Sequence, residues 1–321
     1  MRPVRTAFAG ALLGTLVLAG CGQTGANVAP SNSPDSPPPT TAAAGTGDFP
    51  VTVEAGNGKV TLAKKPERIV SLSATHTETL FAVGAGPQVV AVDDQSNYPP
   101  EAPKSDLSGF KPNVEAIIAK KPDLVILSND QDKIVAELAK VNVPVLLEPA
   151  ATGLEEAYEE ISEIGAATGN KAKADEVVSG MKAAMAKLAA DAPKDKKLTY
   201  YHELDQTPYA ATSKTFIGQV YGMFGLTNIA DQAPDAAGGY PKLSAEFVAQ
   251  ADPALIFLAD VKCCQQSKET LAKRPGWKNL SAVKNDQVIQ LDDDLASRWG
   301  PRVVDLAQAI GAAVAKAGGA G

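Results

Sequence analysis

One stretch of this 321-residue chain occurs twice. FKPNVEAIIAKKPDLVIL (Phe110–Leu127) is matched by PKLSAEFVAQADPALIFL (Pro241–Leu258), so that Lys111 falls on Lys242, Glu115 on Glu246, Pro122 on Pro253, Leu124 on Leu255 and Leu127 on Leu258. Asn113 and Ser244 are both good helix N-caps. Val114, Ile117 and Ile118 share a one-sided apolar spacing with Ala245, Val248 and Ala249. Each copy reads as a capped amphipathic helix, a proline that ends it, and a buried strand. An offset of 131 positions (111 to 242) is far too long for a solenoid repeat and suits a domain. The repeat therefore constrains the chain to two similar lobes, each presenting a glutamate at the start of an equivalent helix.

The length allows about two ordinary domains, and 45% hydrophobic residues suffice for real cores. A net charge of −7 gives no basic stripe, which argues against nucleic-acid binding. Two histidines, His76 and His202, are too few for a dedicated zinc or manganese centre.

The start reads as a secretion signal. Arg2 and Arg5 precede an apolar run, Ala7–Leu18, that is too short for a stable membrane span and ends in Leu18-Ala19-Gly20-Cys21. That is the pattern of a bacterial lipoprotein signal, with Cys21 as the lipidated residue (1–21). Residues 22–49, rich in Pro, Ser, Thr and Ala, cannot bury enough surface to fold and read as a disordered tether. The expected location is the extracytoplasmic face of the cell membrane, lipid-anchored.

From Phe49 the chain reads as a β-hairpin to Leu62 and then as strands alternating with helices. The first strand is Ile69–Leu72. Thr75-His76-Thr77-Glu78 fits a capping box opening a helix to Val83. Strands follow at Val89–Val92, Leu124–Leu127 and Val143–Leu147. Gly153–Ala192 reads as two helices, the second a stiff spine of about 30 Å. The second half repeats the alternation, with strands at Leu198–His202, Leu255–Leu258 and Val288–Leu291 and a final helix Pro301–Lys316. The fold class is α/β: two lobes with mostly parallel sheets flanked by helices, joined by one long helix. The lobes span 50–170 and 193–321, and the connecting helix 171–192.

In open parallel sheets, ligands sit beyond the C-terminal ends of the strands. The loops so placed are Ser73–His76, Asp93–Tyr98, Ser128–Gln131, Tyr201–Asp205, Ala259–Cys264 and Asp292–Trp299. In or near them stand His76, Tyr98, Phe110, Tyr209, Tyr240, Arg298 and Trp299, a set that suits a flat, partly apolar ligand with polar edges. His76 is read either as a ligand contact, or a ligand to a metal within the cargo, or as a polar residue at a helix start. Asp292-Asp293-Asp294 reads as a solvated cap and turn rather than a cation site. Cys263 and Cys264 are adjacent and outside the cell, so they form either a vicinal disulfide or two buried thiols. No G-x-S-x-G, P-loop, H-E-x-x-H, C-x-x-C or post-strand G-x-G-x-x-G is present. The chain is accordingly read as having no catalytic residues and no resident metal or cofactor; a hydrolase or a surface adhesion lipoprotein are the rivals outside transport.

The segments Lys64–Ala85, Ser96–Ala102, Pro112–Leu127, Pro241–Leu258 and Ala296–Ile310 resemble, in that order, the solute-binding proteins of ABC importers whose two lobes are joined by one rigid helix. Within that class the chain is most similar to cobalamin-binding proteins; ferric-siderophore and haem binders share the scaffold. The resemblance implies a monomer that clasps a bulky metal chelate carrying its own metal. It implies that Glu115 and Glu246 dock on arginines of an ABC permease dimer, although an acid in a first turn also simply suits the helix dipole. It brings Tyr98, Phe110, Tyr240 and Arg298 near ligand-contacting positions, whereas His76, Trp299 and Cys263-Cys264 depart from the cobalamin pattern.

Overall fold

The computed structural model describes residues 49–193, 197–233 and 237–318. The expected lipid-bearing Cys21, the signal sequence and the tether up to residue 48 lie outside them. Strand β1 (Val51–Ala55) pairs antiparallel with β2 (Gly58–Leu62). Then follow β3 (Ile69–Leu72), α1 (Ala74–Ala82), β4 (Val89–Val92), α2 (Val114–Ile118), β5 (Leu124–Leu127), α3 (Ile134–Lys140) and β6 (Val145–Leu147). Two helices, α4 (Leu154–Ala167) and α5 (Lys171–Asp191), lead into the second half. That half holds β7 (Thr199–Glu203), α6 (Phe216–Gly222), β8 (Thr227–Asn228), α7 (Ala245–Ala251), β9 (Leu255–Leu258), α8 (Val261–Cys264), α9 (Lys268–Ala272), α10 (Ser281–Lys284), β10 (Val288–Gln290), α11 (Asp293–Ser297) and α12 (Val303–Gly318).

The repeat folds as expected and is deeper than its identities. Asn113 Oδ1 accepts the Ala116 amide and Ser244 Oγ the Phe247 amide, capping α2 and α7 in the same way. The prolines do not end the helices. The turns are made by Lys121 (φ 53°) and Asp252 (φ 40°), equivalent residues in left-handed conformation just before Pro122 and Pro253. The strands that follow are fully buried and occupy interior places in two all-parallel four-stranded sheets, ordered β4-β3-β5-β6 and β10-β9-β7-β8. Continuous apolar runs such as Leu124-Val125-Ile126-Leu127 are what a sheet covered on both faces requires. The β1–β2 turn covers the β6 edge: Gly56 N–H donates to the Leu147 carbonyl (2.7 Å) and Asn57 Nδ2 to the Val145 carbonyl (3.0 Å).

Each sheet has an outer core of its own, one around Val70, Ile117 and Leu138 and the other around Tyr201, Ile256 and Trp277. The inner faces share a single core. It runs from Ile69, Leu124 and Ile126 through Ile161 and Ile164 of α4 and Met181 and Met185 of α5 to Leu255, Phe257 and Leu306. The connection is therefore wider than one rod, since α5 packs on both α4 and α12. Where a Cβ on Gly165 would stand, the Ala174 methyl already is, so α4 and α5 meet at van der Waals contact. Among the described residues no helix is long and apolar enough to cross a membrane.

Candidate functional site

The C-terminal ends of β3, β4 and β5 open into a cavity of about 270 Å3. The first sheet contributes Leu72, Ser73, Thr75, Asp93, Gln95, Phe110 and Asn129; α11 and the turn after it contribute Asp294, Ser297, Arg298 and Trp299. Gly109 sits in the wall because no side chain fits there: a Cβ would collide with the Leu72 carbonyl oxygen and lie 3.0 Å from Asp93 Oδ2.

The two halves are tied across this cavity by charge. Arg298 Nη1 donates to Glu78 Oε1 (2.6 Å), and its Nη2 to the Gln95 carbonyl (3.1 Å) and Asp294 Oδ1 (2.8 Å). Arg302 donates to both oxygens of Glu78, at 2.8 and 2.5 Å, and its guanidinium lies 4.0 Å from the centre of the Tyr98 ring. The Glu78 side chain is 2% exposed and that of Arg298 8%. Such charges are stable in an interior only when paired and fully hydrogen-bonded. The capping box expected at Thr75–Glu78 is absent. Ser73 starts α1 two residues earlier without a side-chain cap bond, and Glu78 turns inward to the arginines instead of back to the helix start.

Beneath the floor runs a chain of buried polar groups. Ser96 Oγ lies 2.5 Å from Asp93 Oδ1 and 2.8 Å from Thr77 Oγ1; Thr77 Oγ1 is 2.9 Å from Ser71 Oγ, which bonds the Ser73 carbonyl at 3.3 Å. Burial raises the Asp93 pKa above the usual carboxylate range, against the lowering effect of Ser96, while Asp94 raises it and Arg298 lowers it.

Of the residues singled out in the sequence, Phe110, Arg298 and Trp299 line the cavity. Phe110 is 70% exposed, an aromatic face turned to solvent. Three of the five Arg298 N–H donors go to protein groups. Trp299 Nε1 donates to Glu160 Oε2 (2.8 Å) on α4. His76 does not line the cavity: it is fully buried, edge-on to Trp299 at 5.9 Å and 3.5 Å from Glu160. The expectation of a histidine at the ligand fails because α1 begins at Ala74 and turns that side chain toward α4. Tyr98, Tyr209 and Tyr240 are about 40% exposed and stand outside the cavity wall, Tyr209 just beyond the end of β7 with Lys242 5.9 Å from its ring centre.

Cys263 and Cys264 are paired as a vicinal disulfide in α8. The amides of Val261, Lys262 and Cys263 donate to Asp293, Asp292 caps α11, and Asp294 binds Lys262 and Arg298. The aspartate run is thus consumed in capping and pairing, as its reading as a cap and turn expects, and among the described residues no group of three His, Cys, Asp or Glu is arranged to hold a metal ion. Glu115 and Glu246 are exposed in the first turns of α2 and α7. His202 is a core residue, its Nδ1 2.8 Å from the Tyr221 hydroxyl, and burial lowers its pKa to about 4. Glu78, Asp93 and Glu160 were not singled out as site residues. Asp93 falls in a strand-end loop, but nothing local marks Glu78, whose partners lie 220 and 224 positions away.

The periplasmic binding protein family matches residues 69–295. An uncharacterised ABC transporter substrate-binding lipoprotein of Bacillus subtilis, YvrC, is 33% identical over 93% of both chains. A cobalamin-binding protein of Halobacterium salinarum is 30% identical, over 80% of this chain and 72% of its own. The crystal structure of the periplasmic haem-binding protein HutB of Vibrio cholerae superposes with a TM-score of 0.69, over 76% of this chain and 97% of its own; at 21% identity it attests the fold alone. The two parallel sheets with their shared core, the loops opening at the strand ends and the family match make this chain a member of the periplasmic binding protein family, an extracytoplasmic, non-enzymatic substrate-binding component of an ABC importer.

Proposed function

We propose that the chain captures a corrinoid at the strand-end cavity and delivers it to an ABC permease. The observation that carries the choice of cargo is the state of Arg298. It is the basic residue in the cavity wall, and its charge is paired with the carboxylates of Glu78 and Asp294. An anionic chelate, such as haem with its two carboxylates or ferric citrate, finds no free cation there and meets Asp294 instead. A neutral, amide-rich chelate loses nothing by this. Exposed Phe110 offers an apolar face for a large ring system. The cavity takes only part of so bulky a ligand, and the rest lies over the rim. Cobalamin binding by the relative from Halobacterium salinarum supports the same reading.

In the proposed delivery step, Glu115 and Glu246 meet basic residues of the permease, one from each half, and Cys21 carries the lipid that keeps the monomeric protein at the membrane. Titrations with cobalamin, haem and ferric citrate, followed by quenching of Trp299 emission in a Trp277→Phe background, test the cargo. Saturable quenching by cobalamin at micromolar levels or below is expected. Saturation by haem or ferric citrate alone would replace the corrinoid with an iron chelate on the same scaffold.

A further inference from the structure

A second pocket, of about 250 Å3, lies between the β1–β2 turn, the end of β6 and α4, and six glutamates line it. Glu156, Glu159, Glu160 and Glu163 fall on a single face of α4, so that Glu156 with Glu160 and Glu159 with Glu163 are like-charged pairs four positions apart, which disfavour a helix. Glu54 comes from β1, and Glu148 follows β6 directly. Among the described residues, Glu54 alone of the six has a lysine or arginine within ion-pair reach, Lys59 at 3.3 Å, and both of those side chains are largely exposed. The Thr152 amide and hydroxyl donate to Glu156, each at 2.6 Å, and His76 stands 3.5 Å from Glu160. Glu148 lines the pocket yet is 3% exposed, and its Oε1 meets no donor among the described residues. A carboxyl so buried without a partner is costly. Burial, with Glu163 and Glu160 adding to it, pushes its pKa up to about 9, so the empty pocket holds more negative charge than it can carry.

We propose that this pocket is a binding site for an organic cation with two or more ammonium groups, a linear oligoamine, separate from the cargo cavity and joined to it through Glu160. An ammonium carries three donors and no acceptor, so each one satisfies several carboxylate oxygens at once, and charge-assisted bonds of this kind are the strong ones. A single metal ion fits less well. It needs oxygens converging at roughly 2.0–2.6 Å, and among the described residues no group of three His, Cys, Asp or Glu is arranged to hold one. Carboxylates spread around 250 Å3 match a cation whose charge is spread as well. The rim is firm: a Cβ on Gly56 would lie 2.8 Å from the Pro149 ring, so the β1–β2 turn already rests on that proline. The link to the cargo cavity is one hydrogen bond. Glu160 lines this pocket while its Oε2 accepts from Trp299 Nε1 (2.8 Å), and Trp299 lines the cavity.

The site does not depend on the identity of the cargo. Calorimetric titration of the full chain with spermidine tests it, beside calcium chloride at matched ionic strength. Saturable binding of spermidine below about 1 mM is expected, with calcium the weaker of the two. No saturable heat from spermidine, or tighter binding by calcium, would overturn the proposal. Replacing Glu159→Gln and Glu163→Gln together removes two of the carboxylates and one of the repulsive pairs, so the helix is not weakened. The affinity of that variant for spermidine should fall by about tenfold or more. An unchanged affinity would put the amine elsewhere on the molecule and contradict the assignment. Trp299 emission, read in the Trp277→Phe background, should change with the same midpoint as the heat. Emission that stays constant while the heat saturates would overturn the link through Glu160 alone.

Discussion

At the scale of single residues, the pair Glu78–Arg298 shows where sequence reading succeeds and where it fails. Arg298 was recognisable as a cavity residue because it follows a strand end by a few positions. Glu78 looked like the last letter of a capping box, and its real partners arrive over two hundred residues later. No local pattern encodes such a contact. Glu78→Gln leaves Arg298 and Arg302 buried without their shared countercharge, which should cost about 3 kcal/mol. The urea midpoint measures this, and a loss below about 0.5 kcal/mol would mean that water reaches the pair and screens it. His76 teaches the converse. Its residue type suggested a ligand contact, but a helix starting two residues early put it in the core against Trp299.

At the scale of elements, the repeated helix–turn–strand was legible almost entirely. It is built from local terms: an N-cap, one apolar stripe, and a run of four buried residues. Helix ends moved by a few residues because the turning residues, Lys121 and Asp252, are not glycines and do not announce themselves. The exposed acids at the starts of α2 and α7 are the test of docking. Changing Glu115 and Glu246 to arginine together should abolish uptake in cells while ligand affinity stays within about twofold, since neither side chain lines the cavity. Normal uptake by that variant would refute a docking role. Helix α4 carries a different feature. Glu148 meets Glu160 and Glu163 of α4 in a crowded pocket, and burial together with those neighbours pushes its pKa up to about 9. A carboxyl held neutral by the fold stabilises fully below its unfolded value near 4.5 and loses that advantage as pH rises toward 9. Glu148→Gln should therefore melt higher than the parent at pH 8 and level with it at pH 4.5. A difference that does not change with pH would show that the crowd is relieved by solvent.

At the scale of the whole molecule, the sequence pointed to two lobes and a spine, and both sheets are where the alternation placed them. What it did not reveal is that the inner cores fuse. Apolar residues separated by more than two hundred positions, from Ile69 to Leu306, join one cluster through α4 and α5, and no window of sequence contains that fact. The shared core and the buried arginine–glutamate ties oppose large hinge motion, so recognition rests on a wall that is already formed. That wall pairs its one arginine internally and turns an aromatic face outward, which is the basis for assigning it a large uncharged chelate. Cargo that stays bound through purification can be seen directly, because corrinoids, haem and ferric chelates are all coloured. The most direct measurement is the absorption spectrum of the protein isolated from its own cells, where a corrinoid spectrum released on denaturation is the predicted result and the intense Soret band of haem or the charge-transfer band of a ferric chelate would contradict it.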